Sequence, residues 1–462
     1  MIFYFVLFRR RLFMIVRVLM VLMCCSFSVH ANRVQERVLA NGLKVLVKEE
    51  HRSPVVVSQI WYKVGSSYEP SGITGISHML EHMMFKGTDS HPAGEFSEII
   101  AANGGRENAF TGRDYTAYFQ ALEKSRLAIS FELEADRMQH LHLLAAELTK
   151  ELQVVMEERR MRTEDKPRAK LQEYLMAMAY SNSPYRNPVI GWPADIENYR
   201  IDDLQRWYQQ WYAPNNAILI VVGDVHAEKV FKLAEQYFGA IPAREIAVLK
   251  PQTEVPQVGV RRMTIKLPAK VPYILMAYKV SSLKTVGQEW EAYALDVLAT
   301  VLDGGESARL PARLQRGQQL ASSVGAGYDL GGRLEELFMF EATPIKGKSL
   351  LDMEIALKTE IRALQRKVIS AEELARVKAQ VMANSIYEQD SLFYQAMKLG
   401  MAETVGLGWQ TAEQYREKIN QVTAEQVRLV ADKYLVESQL SIAYLEPQTM
   451  SENTQQGVKH AH

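Results

Sequence analysis

The chain contains little cysteine, no excess of one charge and no low-complexity sequence. Its 462 residues include only two cysteines, Cys24 and Cys25, too few for a disulfide scaffold or a thiolate-rich metal cluster. Lysine plus arginine and aspartate plus glutamate each number 54, so no basic excess indicates a nucleic-acid binder. With 47% hydrophobic and 23% charged residues, the composition is that of a globular protein rather than a disordered or collagen-like one. The length favours two domains of about 200 residues each.

The first 31 residues have the composition of an export signal. Arginines at positions 9–11 and 17 precede an apolar stretch over residues 18–27, and Ala31 ends the segment. This order is typical of a secretory signal peptide. The apolar stretch is about half as long as a membrane-spanning helix needs to be. We therefore expect cleavage after Ala31, a periplasmic location and no stable membrane span afterwards; an uncleaved leader that anchors the protein is the alternative.

The order of predicted elements indicates an α+β protein with two similar halves. Apolar alternation predicts strands over 38–47 and 55–64, and helical spacing follows over 75–86. The segment 241–260 contains three prolines and shows neither helical nor strand periodicity. After it, the order of strand, strand and helix begins again. The predicted division is a signal peptide 1–31, a first domain 32–245, a linker 246–261, a homologous second domain 262–445 and a polar tail 446–462.

The segment GISHMLEHMMFKGT, residues 75–88, has the most specific chemical pattern. His78 and His82 are four residues apart, so a helix projects both imidazoles from one face, and Glu81 lies on the same side. Two histidines on a helix are often surface residues, but the apolar neighbours here predict much buried surface, where unpaired imidazoles are costly. A catalytic zinc ion takes three protein ligands and leaves one position for water. The motif therefore predicts a zinc site whose third ligand, a carboxylate by type, comes from elsewhere.

The HxxEH pattern is the reverse of HExxH, and with it the chain resembles the pitrilysin/insulinase family of zinc peptidases over nearly all of residues 34–445. In that family, the third ligand is a glutamate on a downstream helix that carries a second glutamate seven residues earlier. Glu158, which stands 76 residues after His82, keeps the family's distance, and Glu151 occupies the earlier position. The resemblance implies that His78, His82 and Glu158 bind one Zn²⁺ per chain and that Glu151 supports a ligand or the bound water. Glu157, which points about 100° away on the helix, is the alternative ligand.

The segment GGRENAFTGRDYTAYF, residues 104–119, is similar to the family's strand at the border of the cleft. By this resemblance, Asn108 and Ala109 offer amide and backbone groups to an extended substrate, which joins the sheet as an additional strand. A surface turn around Gly104 and Gly105 is the alternative. The family fold also implies two homologous domains, each a mostly antiparallel sheet with helices packed on it, and family members of this length act as dimers.

The second half departs from the family at two positions. The family pattern has an arginine and a tyrosine that bind the substrate carbonyl and the oxyanion, but this sequence has Gln315 and Ser322 there. Glutamine has no positive charge, and serine is far shorter than tyrosine. Arg316 is one residue late and Tyr328 is six residues too far along. Either the register shifts by one residue, or a zinc-less paralogous partner supplies both groups, which leaves a homodimer and a heterodimer as the expected assemblies.

The function implied by the resemblance is that of a zinc metalloendopeptidase acting on peptides or unfolded polypeptides in the periplasm. The zinc ion polarises the scissile carbonyl and lowers the pKa of its bound water, and Glu81 takes the proton from that water. The alternative is a non-catalytic or assembly subunit of the same fold that needs a paralogous partner. The arginine-rich run 159–162 is interpreted as a solvated helix end.

Overall fold

The computed structural model describes residues 34–448. The predicted signal peptide, both cysteines and most of the predicted polar tail lie outside the described residues. Each half of the described chain is built on one mixed sheet, and helices pack on both faces of each sheet.

The sheet of the first half has six strands. They are β1 (Gln35–Val38), β2 (Lys44–Glu49), β3 (Val55–Tyr62), β4 (Arg106–Thr111), β5 (Thr116–Glu123) and β6 (Ala217–Gly223). The order across the sheet is β1-β2-β6-β3-β5-β4, and β2 and β6 are its one parallel pair. All seven residues of β6 are buried, which explains the continuous apolar run that encodes this central strand.

The sheet of the second half repeats this arrangement with five strands. They are β7 (Arg261–Leu267), β8 (Tyr273–Val280), β9 (Ala321–Gly327), β10 (Glu336–Pro344) and β11 (Leu440–Pro447). Their order is β7-β11-β8-β10-β9, with β7 and β11 parallel. Strand for strand, this matches β2-β6-β3-β5-β4, so the prediction of two similar α+β halves with mostly antiparallel sheets is confirmed. Strand β1 is an addition of the first half.

Helices connect the strands in both halves, with eight in the first and six in the second among the described residues. In the first half they are α1 (Ile76–Met83), α2 (Glu95–Ala102), α3 (Leu127–His140), α4 (Ala145–Arg159), α5 (Pro167–Ala179), α6 (Pro193–Ile196), α7 (Ile201–Trp211) and α8 (Ala227–Phe238). In the second half they are α9 (Glu289–Asp303), α10 (Leu350–Arg366), α11 (Ala371–Glu388), α12 (Leu392–Thr404), α13 (Trp409–Gln421) and α14 (Ala424–Tyr434). None of the helices in the range 34–448 is long and apolar enough to cross a membrane.

The two halves exchange one helix each. Helix α12 of the second half packs on strands β3 and β6 of the first sheet, where Leu399 is 3% exposed and contacts an apolar cluster around Trp61. Helix α5 of the first half packs in the same way on the second sheet through Leu171 and Leu175. At Gly400, a Cβ atom would lie 2.1 Å from the indole of Trp61, so only glycine allows this close approach. The exchange joins the halves through two apolar interfaces.

The segment between the halves is fixed by a buried carboxylate. Residues 242–260 contain no helix or strand. Within them, Glu254 accepts hydrogen bonds from Lys279 Nζ at 2.5 Å and from the backbone N–H groups of residues 181–183. Burial raises the pKa of Glu254, but these hydrogen bonds outweigh it and lower the pKa to about 2. One side chain therefore ties the segment to both halves.

Strands β4 and β5 form a hairpin at one side of the first sheet. The strand-like pattern of residues 111–122 predicts a strand from Thr111, but β4 ends at Thr111 and β5 begins only at Thr116. The backbone N–H of Gly112 donates to the carbonyl of Tyr115, which closes a tight turn between the two strands. The predicted strand therefore corresponds to β5 and the turn before it, and β4 forms the edge of the sheet.

Candidate metal centre

Helix α1 carries the two histidines of the HxxEH pattern. It begins after Gly75, whose φ of +87° and close approach to Ile190 O, 2.4 Å from an added Cβ, exclude a larger residue. The imidazoles of His78 and His82 lie on one face with ring centroids 4.8 Å apart. His78 is 7% exposed, and the side chain of His82 is 22% exposed. The predicted helical spacing therefore brings both rings to the wall of a cleft.

Helix α4 places a carboxylate against these rings. Glu158 Oε2 lies 3.4 Å from His82 Nε2 and 3.6 Å from His78 Nε2. The side chain of Glu157 is 50% exposed and forms a salt bridge with Arg160, on another side of the helix. The structure thus brings Glu158, and not the neighbouring Glu157, to the two histidines.

The donor atoms of His78, His82 and Glu158 fit a zinc ion. All three lie within 4.8 Å of one another, and over residues 34–448 they form the one such group of histidine, cysteine or carboxylate ligands. Zinc bonds of 2.0–2.2 Å in a tetrahedral site separate ligand atoms by about 3.3 Å, close to the distances found. Glu158 Oε2 is buried and makes no hydrogen bond, whereas Oε1 forms a salt bridge with Arg162 at 2.6 Å. A buried acceptor without a partner is costly, so the arrangement suits a cation between the three groups.

Glu151 contacts one of the two histidines. Its Oε2 lies 3.1 Å from Nδ1 of His82, and its other oxygen forms a salt bridge with Lys86. A carboxylate on Nδ1 fixes the imidazole so that Nε2 faces the metal position. The predicted support from Glu151 thus has a geometric basis, and Lys86 is a contact that the sequence did not reveal.

Glu81 lies beside the donor group without belonging to it. Its Oε2 accepts a hydrogen bond from the hydroxyl of Thr111, at the end of the edge strand β4. Burial raises the pKa of Glu81, and the hydrogen bond from Thr111 lowers it in part. Burial and the neighbouring His82 lower the pKa of His78 to about 4, which keeps its imidazole in the neutral form that binds metals. The arrangement provides a carboxylate that can move a proton next to a metal position.

An open cleft of about 1630 Å³ surrounds these groups. Its walls are α1, α4, strand β4 and the segment 185–190. Asn108 and Ala109 line it on β4, and the side-chain Oδ1 of Asn108 accepts a hydrogen bond from the N–H of Ala109 at 2.8 Å. The predicted substrate residues therefore lie on the edge strand of the sheet, in the same cleft as the histidines. A turn at residues 103–104, where Gly104 is exposed and has a φ of +70°, precedes this strand.

The two departures in the second half lie side by side. Gln315 Nε2 donates to the backbone carbonyl of Ser322 at 3.0 Å, and Ser322 is on β9, the edge strand of the second sheet. The nearby Arg316 forms a salt bridge with Glu306, and the hydroxyl of Tyr328 donates to Ser281 O at 2.7 Å. Both displaced residues thus have partners within the second half.

The interpretation of residues 159–162 as a solvated helix end is wrong for Arg159 and holds for Arg160 and Arg162, whose side chains are 54% and 72% exposed. Arg159 has a side chain only 2% exposed, and its guanidinium binds both carboxylate oxygens of Glu173. Arg162 holds Glu158, and this i,i+4 pair could have been found from the spacing alone. Arg160 is half exposed, as expected. The contact of Thr111 with Glu81 leaves no such trace in the sequence, because it joins a strand to a distant helix.

Known proteins share both the sequence pattern and the fold. Residues 44–192 match the family described as Insulinase (Peptidase family M16), and residues 198–381 match the Peptidase M16 inactive domain. The Helicobacter pylori zinc protease PqqE is 33% identical over 422 residues, which cover 88% of this chain and 92% of that protein. The uncharacterized zinc protease YmxG of Bacillus subtilis is 27% identical over 408 residues, 88% of this chain and 97% of the relative.

Among solved structures, a protease from Helicobacter pylori superimposes with a TM-score of 0.84 at 30% identity, covering 90% of this chain and all of that one. The two matched domains, the repeated sheets and the histidine pair on α1 agree with one another. The chain belongs to the insulinase family of peptidases, family M16.

Proposed function

We propose that this protein is a zinc metalloendopeptidase that hydrolyses peptides or unfolded polypeptides. The observation that carries the proposal is the buried Oε2 of Glu158, which faces the imidazole nitrogens of His78 and His82 and makes no hydrogen bond. Relatives with the name zinc protease support the same chemistry.

His78, His82 and Glu158 hold the zinc ion in this proposal. When bound, the ion polarises the scissile carbonyl and lowers the pKa of water in its coordination sphere. Glu81 accepts the proton of the attacking water and passes it to the leaving amine, while the hydroxyl of Thr111 holds its carboxylate in place. Glu151 keeps the ring of His82 aligned.

The edge strand β4 receives the substrate. An extended polypeptide that pairs with β4 at Asn108 and Ala109 would lie along the cleft that contains Glu81. Pairing through backbone groups requires an extended segment of the substrate and depends little on the substrate's side chains. We therefore infer that unfolded chains and peptides are the substrates rather than compact proteins.

A second chain completes the active site in this proposal. Gln315 and Ser322 lack the charge and the length to bind a carbonyl or an oxyanion in the way that arginine and tyrosine do. A dimer with a zinc-less paralogue would supply both groups, and a homodimer is the simpler assembly. We further propose export to the periplasm after removal of residues 1–31, a catalytic domain 32–245, a linker 246–261 and a second domain 262–445.

The test is cleavage of an unstructured quenched peptide by the purified mature chain, with zinc measured in the same sample. About one zinc per chain is the expected result, and chelator-sensitive cleavage by this chain alone would favour the homodimer. Zinc without cleavage, followed by cleavage when a zinc-less paralogue is added, would favour the two-chain enzyme. Zinc without cleavage in either case would favour the non-catalytic subunit. A chain that binds no zinc would contradict the proposal.

A further inference from the structure

A second group of histidine and carboxylate side chains lies at the carboxyl ends of β2 and β6. Glu49 is the last residue of β2, and His51 follows two positions later. Asp224 comes directly after β6, and His226 precedes helix α8. Since β2 and β6 are parallel neighbours in which Glu49 pairs with Gly223, their carboxyl ends lie side by side.

One carboxylate oxygen in this group faces two imidazole nitrogens. Glu49 Oε2 lies 3.4 Å from His51 Nε2 and 3.8 Å from His226 Nδ1, and the two ring centroids are 5.9 Å apart. The other oxygen, Oε1, accepts hydrogen bonds from the N–H of Ala227 at 2.9 Å and from Gln35 Nε2 at 3.1 Å. These two bonds hold the carboxylate with Oε2 directed toward the rings.

The arrangement resembles that of the candidate metal centre but is wider, since the donor atoms of Glu49, His51 and His226 do not all lie within 4.8 Å of one another. There, Glu158 Oε2 lies 3.4 and 3.6 Å from two imidazole nitrogens, and Glu151 fixes Nδ1 of His82. Here, Asp224 Oδ1 fixes Nδ1 of His51 at 2.6 Å, which leaves Nε2 of that ring toward Glu49. Asp224 is itself held by a salt bridge with Lys124 at 2.5 Å. A histidine that binds a metal usually donates its other ring N–H to a carboxylate, and Asp224 is in that position relative to His51.

We propose that Glu49, His51 and His226 form a second metal site, which takes a divalent transition-metal ion of the zinc class. Two imidazoles and one carboxylate suit Zn²⁺ and exclude Ca²⁺ and Mg²⁺, which prefer oxygen ligands. Tetrahedral coordination needs ligand atoms about 3.3 Å apart, so binding requires the exposed side chain of His226 to move toward Glu49 and His51. The side chains of His51 and His226 are 41% and 67% exposed, so water completes the coordination and the site binds more weakly than the buried one.

Binding at this site would join the end of β2 to the start of α8. These elements are otherwise connected there by the hydrogen bond from the N–H of Ala227 to Glu49. Because a ligand that binds the folded state stabilises it by mass action, zinc should raise the melting temperature of the chain through this site. The effect does not depend on peptidase activity.

The test is equilibrium dialysis of the full chain against Zn²⁺ up to a concentration on the order of 100 μM. We expect the wild type to bind one equivalent more than His226→Ala and than His51→Ala. His140→Ala is the matched control, since His140 is an exposed histidine that pairs with the single carboxylate of Asp136 at 2.8 Å. It should bind as much zinc as the wild type.

The same titration in a His82→Ala background separates this proposal from the proposed function. Loss of the buried zinc should leave the weaker equivalent in place, together with a zinc-dependent rise in melting temperature that His226→Ala removes. Equal zinc binding by the wild type, His51→Ala and His226→Ala would overturn the second site. A rise in melting temperature that persists in His82→Ala with His226→Ala would overturn it as well, whatever the outcome at the buried centre.

Discussion

The two halves of the molecule share a strand order and differ in chemistry. Helix α1 lies between β3 and β4 and carries His78, Glu81 and His82, whereas α9 occupies the same place between β8 and β9 without any histidine. The sequence contains no histidine from residue 227 to residue 459.

Helix α9 is packed into the second half instead. Ten of its fifteen residues are buried, and its half-buried Asp296 accepts a hydrogen bond from the hydroxyl of Tyr415. Burial raises the pKa of Asp296 to about 6. The two halves share a fold, but only the first places a histidine pair on the equivalent helix, α1, so side chains and not the fold distinguish them.

The exchange of helices shows that the half without histidines still has a structural role. Helix α12 covers the outer face of the first sheet, and α5 covers that of the second. Separation of the halves would expose buried side chains such as Trp61 and Leu275 to water. The half with the histidine pair therefore depends on the second half for its packing, and this dependence can be measured.

The largest expected effect is that of His82→Ala. This change removes an imidazole that Glu151 orients toward Glu158 and leaves two donors, which is too few to retain zinc. We expect loss of zinc after gel filtration and loss of chelator-sensitive cleavage. His140→Ala, an exposed histidine of the same half, should change neither. Normal zinc content in His82→Ala would contradict the assignment of the metal centre to α1.

The next largest effect is that of Glu81→Gln, which keeps the size of the side chain and removes its basic oxygen. General acid–base catalysis contributes about 10²- to 10⁴-fold to a rate, so turnover should fall by that range while zinc content stays at the wild-type value. Steady-state cleavage and zinc analysis on one preparation measure both. If turnover and zinc fall together, Glu81 acts through the metal ligands and not as the base.

The helix exchange predicts that truncation of a buried leucine on either exchanged helix destabilises the whole chain. Leu399→Ala on α12 and Leu175→Ala on α5 each remove a leucine that is at most 3% exposed. Each should lower the free energy of unfolding by about 2–5 kcal/mol, as truncation of a buried leucine does. Leu351→Ala, at a position 57% exposed, should change it by no more than about 0.5 kcal/mol. Urea unfolding followed by fluorescence gives the values. Two separate transitions, of which each substitution moves only one, would contradict the mutual dependence.

The smallest effect concerns the segment between the halves and depends on pH. The pKa of Glu254 in the folded chain is about 2, below its ordinary value of 4.5. A lowered pKa means that the carboxylate stabilises the fold above pH 4.5 and that this contribution is lost as the pH falls toward 2. Glu254→Gln should therefore lose stability at pH 6 and show a weaker decrease between pH 5 and pH 3 than the wild type. Glu245→Gln, an exposed glutamate of the neighbouring sequence, should follow the wild-type curve.

Helical periodicity and the family resemblance together account for what the sequence predicted about the site. Residues three and four apart share a helix face, so His78, Glu81 and His82 could be placed together in advance, whereas Glu151 and Glu158 were implied by the resemblance to the family. Apolar alternation and the repeated element order gave the two similar halves in the same way. These features are local, and the residues that express them are close together in the chain.

What could not be predicted depends on contacts between distant segments. The periodicity of α5 and α12 shows that each has an apolar face, but not that the face packs on the sheet of the other half. The hydrogen bond of Thr111 to Glu81 and the proximity of His51 and His226 depend on strand pairing across the sheet, which no short pattern encodes. Glu254 lies in a segment with neither helical nor strand periodicity, so no sequence pattern indicated its contacts with both halves.

The most direct test of the metal centre compares two adjacent glutamates on helix α4. Glu158→Gln changes the carboxylate that faces both histidines, whereas Glu157→Gln changes the half-exposed neighbour that pairs with Arg160. Zinc content after gel filtration should fall to less than about a tenth of the wild-type value in Glu158→Gln and stay unchanged in Glu157→Gln. Equal zinc in both variants, or a loss confined to Glu157→Gln, would contradict the site described for this protein.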